Sequence, residues 1–143
     1  MNVENILKRK GNEVATIAPG ATVAEALARL KEHNVGALVV SADRRTVAGI
    51  LSERDVVRRL ADEGAKLLDQ PVSAVMTKNV HTCRPDDSIA ELMTQMTVRR
   101  IRHLPVVVSG RLVGIVSIGD VVKDRVEEVE QEAQALREYI TQA

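Results

Sequence analysis

A chain of 143 residues falls within the size of one compact domain. Its formal net charge of zero removes the phosphate attraction on which nucleic-acid binders depend, and a single aromatic residue, Tyr139, excludes base stacking on an aromatic platform. Cys83 is the only cysteine, so no internal disulfide forms and a reducing compartment is expected; with no stretch near the roughly 20 apolar residues of a membrane span and no signal-peptide run in Met1-Asn2-Val3-Glu4-Asn5, the expectation is a cytoplasmic protein without nucleic-acid or membrane partners.

Residues 1–13 are expected to form a helical segment packed on the remainder. Glu13 to Ala18 reads as extended and ends in the turn signal Pro19-Gly20. Thr22-Val23-Ala24-Glu25 matches a capping box, and Val23, Ala26, Leu27 and Leu30 follow at helical spacing. Asn34 suits a left-handed helix stop. Ala37 to Val40 and Val47 to Leu51 read as buried strands joined by a polar turn, and a second helix is predicted from Glu53 to Asp62. Residues 63–79, with Pro71 and the apolar stretch Val72 to Met76, read as a connector packed on the module and not as a flexible linker. Val80 to Cys83 is then extended, and Pro85-Asp86 turns the chain. Ser88-Ile89-Ala90-Glu91 is a further capping box, with Ile89, Leu92, Met93 and Met96 on the buried face. Leu104 to Val108 and Leu112 to Val116 are predicted strands around Ser109-Gly110-Arg111. Finally Val122, Val126, Val129, Ala133, Leu136 and Ile140 alternate in spacings of four and three, a heptad seam nearly three heptads long. Such a stripe folds back on its own module or joins a second copy.

One phrase occurs twice. Gly49-Ile50-Leu51-Ser52-Glu53-Arg54-Asp55-Val56-Val57 returns as Gly114-Ile115-Val116-Ser117-Ile118-Gly119-Asp120-Val121-Val122. Upstream, Thr16, Pro19, Ala24, Glu25, Leu38 and Val40 recur at one offset as Thr82, Pro85, Ala90, Glu91, Leu104 and Val106. The offset shortens by one residue where Ala42-Asp43-Arg44-Arg45 faces Ser109-Gly110, in a turn that tolerates length change. The chain is therefore two β-α-β-β-α units. Each unit, at about 45 residues, is too small to bury much core alone, so the pair is expected to share one. The organisation reads as 1–13, repeat one 14–62, connector 63–79, repeat two 80–124 and a C-terminal helical extension 125–143.

In both copies a strand ends in Ser-x-x-Asp and a helix begins. Two readings are open. A carboxylate at Asp55 or Asp120 accepts hydrogen bonds from both hydroxyls of a ribose, while Ser52 and Ser117 stand at a helix start, where free N–H groups favour phosphate. Alternatively, each Ser-x-x-Asp is a capping box with a shorter acid. His81 and Cys83 share one strand face, but no third metal ligand is evident, and the alignment of Cys83 with Ile17 favours a buried apolar role. No nucleophile, base and orienting group form a catalytic set.

These residues resemble a tandem pair of CBS domains, a Bateman module, over roughly Val14 to Lys123. The resemblance rests on Thr16-Ile17-Ala18-Pro19 and Thr82-Cys83-Arg84-Pro85, the repeated Gly-Ile-x-Ser-x-x-Asp, Arg102-His103-Leu104-Pro105-Val106-Val107, and Val75-Met76-Thr77 before the second unit. It implies an α+β fold of two repeats packed about a pseudo-two-fold axis, followed by the long C-terminal helix. It also implies a non-enzymatic regulatory module, commonly homodimeric, that binds adenosine-containing ligands such as AMP, ADP, ATP, NAD(H) or S-adenosylmethionine in clefts between the units. AMP and NAD(H) are the first ligands to expect, and the protein regulated is unknown. Carried onto this chain, the cleft residues are Thr16, Gly36, Ala37, Ser52, Arg54 and Asp55 in repeat one, and Thr82, Arg102, His103, Pro105, Ser117 and Asp120 in repeat two. Gly36-Ala37 opposite Arg102-His103, and Arg54 opposite Gly119, make the two clefts non-equivalent. A carboxylate at the ribose disfavours a 2′-phosphate, so NAD(H) is expected over NADP(H). The competing function is an adaptor homodimer with empty clefts.

Overall fold

Asn2 opens the first helix of the computed structural model, which describes residues 1–142. Its side chain accepts from the Asn5 N–H, and the Asn5 side chain accepts in return from the Asn2 N–H, so both ends of a cap are satisfied at the start of α1 (Val3–Lys10). Repeat one follows as β1 (Thr16–Ile17), α2 (Val23–His33), β2 (Ala37–Val40), β3 (Gly49–Ser52) and α3 (Glu53–Glu63). A 3₁₀ stretch, Gly64–Asp69, leads to the short helix α4 (Val72–Val75). Repeat two comprises α5 (Ile89–Arg99), β4 (His103–Val108), β5 (Arg111–Ser117) and α6 (Ile118–Gln142), which runs unbroken from the last strand.

The sheets differ where the sequence predicts sameness. In repeat one β1 lies parallel to β2, with Thr16 opposite Val39, and β3 is antiparallel to β2. In repeat two β4 and β5 pair antiparallel, but the expected strand Val80 to Cys83 is reduced to one bridge between Cys83 and Val106. Pro105 supplies the reason. Its counterpart Val39 donates its N–H to the Ala15 carbonyl at 3.1 Å; proline has no N–H to offer. What survives is Cys83 N–H to Pro105 O at 3.0 Å and Val107 N–H to Cys83 O at 2.9 Å.

The caps divide in a similar way. The Glu25 N–H donates to Thr22 Oγ1 and the Glu91 N–H to Ser88 Oγ, but in each of these two predicted boxes only that half forms. Asn34 ends α2 in the left-handed region, as expected, and Arg100 ends α5 in the same conformation.

Two apolar clusters make the core, and each draws a helix from outside its own repeat. Val3, Ile6 and Leu7 of α1 pack with Cys83, Ile89, Leu92, Met96, Leu104, Val106, Val116 and Val121 of repeat two. Leu67, Val72 and Val75 of the connector pack with Ile17, Val23, Ala26, Leu30, Leu38, Val40, Leu51 and Val56 of repeat one. The crossing obeys the internal symmetry. Val3-x-x-Ile6-Leu7 matches Val72-x-x-Val75-Met76. The Val3 and Glu4 N–H groups donate to Asp87 O and Pro85 O at 3.0 and 2.9 Å; those of Val72 and Ser73 donate to the equivalent Ala21 O and Pro19 O at 2.7 and 3.0 Å. A glycine admits each helix. A Cβ on Gly114 would stand 2.7 Å from Leu7 Cδ2, and one on Gly49 would stand 2.5 Å from Met76 Sδ and 2.9 Å from the Thr77 carbonyl.

Candidate functional site

Each Ser-x-x-Asp closes a complete, reciprocal cap. In repeat one the Asp55 N–H donates to Ser52 Oγ at 3.2 Å, while the Ser52 N–H and hydroxyl both donate to Asp55 Oδ2 at 3.0 Å. Repeat two repeats this almost to the distance: Asp120 N–H to Ser117 Oγ at 3.2 Å, and Ser117 N–H and Oγ to Asp120 Oδ2 at 2.9 and 3.0 Å. The shorter aspartate succeeds where the glutamates of α2 and α5 leave the box half made. The capping geometry is therefore real, and it engages one oxygen of each carboxylate.

The strand ladder sets the neighbours of this cap. Ala37 pairs with Ser52, and His103 pairs with Ser117. The Glu53 N–H donates to Gly36 O at 3.0 Å, and the Ile118 N–H donates to Arg102 O at 2.8 Å. Gly36, Ala37, Ser52 and Asp55 thus form one constellation, and Arg102, His103, Ser117 and Asp120 form its equivalent. The two constellations meet at one contact: a Cβ on Gly36 would lie 3.5 Å from both Cε1 and Nε2 of the His103 imidazole. Arg54 and Arg102 are exposed, close to the caps in sequence but with side chains in solvent. Thr16 is half-buried on β1, and its carbonyl accepts from Arg29 Nη1 at 2.7 Å. Thr82 is exposed. Pro105 is buried within β4, opposite Ile115.

The electrostatics separate the two caps. Lys10, at the end of the crossing helix α1, donates from Nζ to Asp120 Oδ2 at 2.8 Å and to the Ile115 carbonyl at 3.0 Å. Arg9 stands beside it with Nη2 2.6 Å from Asp124 Oδ1, a charge contact at an angle that makes no hydrogen bond. Asp55 has no cationic partner among the described residues. Burial raises the Asp120 pKa, but the bonds from Lys10 and Ser117 and the lysine charge outweigh it, so this carboxyl lies below the ordinary aspartate range. At His103 burial, aided by the Lys10 charge, outweighs the pull of Asp120 and Glu53 and lowers the imidazole pKa. Cys83 is buried in the core of repeat two, and desolvation, with the nearby Asp87 charge, pushes its thiol up to about 12, so it is an inert apolar filler. Among the described residues no three His, Cys, Asp or Glu side chains group as a metal site.

Lys10 is the residue that motif reading overlooked. Its signal lay in the match between Val3-x-x-Ile6-Leu7 and Val72-x-x-Val75-Met76, which extends the repeat to α1 and places the helix end beside Gly114.

Comparison with known proteins agrees with this architecture. The CBS domain family matches residues 3–62 and again 72–127. A CBS-domain containing protein of Agrobacterium tumefaciens, ATU1752, is 47% identical and superposes with a TM-score of 0.84, over 87% of this chain and 92% of that one. Two more distant structures hold ligands. A CBS domain protein of Pyrobaculum aerophilum, PAE2072, in complex with AMP, is 28% identical (TM-score 0.74, 84% of this chain and 89% of that one). The CBS domain pair of MJ0100, in complex with 5′-methylthioadenosine and S-adenosyl-L-methionine, is 26% identical (TM-score 0.76, 86% and 98%). The duplicated Ser-x-x-Asp cap, the crossed leading helices and these matches together make the chain a member of the CBS domain family, carrying two CBS repeats in tandem.

Proposed function

We propose that this chain is a regulatory, non-catalytic module that binds an adenosine nucleotide between its repeats, and that Asp55 is the principal ribose acceptor. The observation that carries the reading is the asymmetry of the caps: Asp120 holds Lys10 on the same Oδ2 that its cap engages, whereas Asp55 has one oxygen engaged by its cap and no cation on either oxygen among the described residues. A carboxylate in that state is a strong acceptor for a vicinal diol. Gly36 and His103 bring the two constellations together, so a ligand at one cap reaches residues of both repeats. The AMP, 5′-methylthioadenosine and S-adenosyl-L-methionine complexes of related pairs support an adenosine-containing ligand. AMP and NAD(H) are the ligands proposed here, with NADP(H) disfavoured by repulsion of its 2′-phosphate. Thr16, Ala37, Ser52 and Arg54 complete this side of the cleft; Thr82, Arg102, Pro105 and Ser117 complete the other. Binding changes the packing of the repeats because the ligand has different affinity for the two arrangements, and a partner protein reads the change. The module works as a homodimer in the cytoplasm.

Calorimetry with AMP, ADP, ATP, NAD⁺, NADH, NADP⁺ and S-adenosylmethionine tests the proposal, with recovery of unchanged nucleotide as the check against turnover. A bound ligand at 100 times its dissociation constant should stabilise the fold by about 2.7 kcal/mol. Asp55→Ala should weaken binding at least about tenfold, which corresponds to ~1.4 kcal/mol. A flat panel favours the second reading, an adaptor whose clefts stay empty, for which the fully satisfied Ser-x-x-Asp caps are the supporting observation.

A further inference from the structure

The face of α6 that the fold leaves uncovered has an organised chemistry. Val121 and Asp124 are the buried residues of this helix, facing the module, and the Met1 ammonium holds Glu128 at 3.3 Å along the same side. One residue further round, about 100° on the helical wheel, runs the heptad seam. Val122, Val126, Val129, Leu136 and Ile140 are all more than a third exposed, Leu136 at 60% and Ile140 at 63%. A continuous apolar stripe of about 28 Å on a helix that already carries its module on another face has no cover among the described residues.

We propose that a second copy of this chain covers the seam, as a parallel, in-register two-stranded coiled coil. The proposal rests on the homodimer reading above and fixes its geometry. The heptad places Val126, Ala133 and Ile140 at a, and Val122, Val129 and Leu136 at d. Val126 and Ile140 at a with Leu136 at d follow the two-stranded pattern, while Val122 and Val129 place β-branched residues at d as well, so the apolar seam alone does not set strand number or direction. The flanking charges decide the direction. Arg125 and Glu132 occupy g; Lys123, Glu130 and Arg137 occupy e. In the parallel arrangement each g residue meets the following e residue across the seam: Arg125 meets Glu130 of the partner subunit, and Glu132 meets Arg137 of the partner subunit. Both pairs are attractive. The antiparallel arrangement of the same seam sets Glu130 and Glu132 each against its own copy, and Lys123 against Arg137 of the partner subunit. Every charged pair is then repulsive, and like charges of this kind set partner orientation.

A single cysteine at position 136 reads the direction, because this seam position meets its own copy only in the parallel pair and meets position 126 in the antiparallel one. Cys83 is buried and its thiol pKa is pushed up to about 12, so it stays silent as the control. Sedimentation across a concentration series establishes whether the chain dimerises, and a short bis-maleimide then tests Leu136→Cys. The expected result is a dimer that cross-links at Leu136→Cys alone, is weakened about tenfold in dissociation constant by Glu132→Lys, and regains affinity when Arg137→Glu is added. A dimer in which Leu136→Cys links only to a Val126→Cys copy overturns the parallel seam in favour of the antiparallel one. A dimer that shows neither cross-link overturns the seam and leaves the homodimer reading standing. A monomer throughout overturns both.

Discussion

Repeat one and repeat two present the same Ser-x-x-Asp cap to the same kind of strand edge, with hydrogen-bond lengths that agree to within about 0.1 Å. They differ in what stands opposite. Asp55 faces no cation among the described residues, while Asp120 is held by the last residue of a helix that arrived from the other end of the chain. A duplication preserves the local motif because the cap depends on residues three apart. It does not preserve the surroundings, which depend on whatever long-range neighbour packs there. Two copies of one motif therefore need not be two copies of one site.

The comparison is most severely tested in the cores. Leu38 and Leu104 are equivalent and both fully buried, so Leu38→Ala and Leu104→Ala should each cost about 2–5 kcal/mol. Urea unfolding should give one cooperative transition for both; two separable transitions would mean that the repeats fold independently. Ile6→Ala should cost a similar amount, and amides that exchange by local opening should lose more protection in repeat two, where Ile6 is buried, than in the adjacent repeat one.

A smaller effect separates the two glycines. Gly49→Ala meets a backbone carbonyl as well as Met76, whereas Gly114→Ala meets only the tip of the Leu7 side chain. Overpacking costs typically about 1–3 kcal/mol. Gly49→Ala should lie at the upper end and Gly114→Ala at or below the lower one, and equal midpoints in urea would contradict the contact geometry.

Lys10→Ala bears directly on the difference between caps. It should cost about 1–2 kcal/mol, the scale of a partly buried charged hydrogen bond. It should also leave Asp120 without its lysine, so that calorimetric stoichiometry for AMP or NAD⁺ moves from one toward two per chain. An unchanged stoichiometry would mean that Lys10 is not what distinguishes the clefts.

The smallest expected effect is in pH. His103 has a lowered pKa, so its contribution is complete above the unfolded value of about 6.5 and declines as pH falls from there toward the folded value. Asp120 is also lowered; its contribution is complete above the unfolded value of about 3.9 and is lost as pH falls through the folded one. Thermal unfolding midpoints should therefore show two declines on acidification. His103→Gln should remove the upper one and Asp120→Asn the lower one.

Much of this fold is legible in the residues. The buried faces of α2 and α5, the turn after Pro19, the stop at Asn34 and the strands on either side of each turn follow from periodicity and backbone preference, which are local. The Ser-x-x-Asp phrase marked both caps for the same reason. Three things were not legible. The strand expected at Val80 to Cys83 fails because its missing hydrogen bond belongs to Pro105, on a different strand. The boxes at Thr22 and Ser88 form only half, because the spacing of a side chain does not fix where its carboxylate ends. Lys10 escaped because an apolar stripe on α1 shows that a face is covered without saying by which repeat.

The crossed helices also impose an order in time. The connector that completes repeat one leaves the ribosome directly after it, so that core closes with partners already at hand. Repeat two is completed from upstream instead. Its missing piece, α1, emerges before either sheet, and the full set of partners for Val3, Ile6 and Leu7, from Cys83 to Val121, follows much later in the chain. Helix α1 is translated ahead of both repeats, and Lys10 reaches Asp120 only when the nascent chain has delivered β5 and the start of α6.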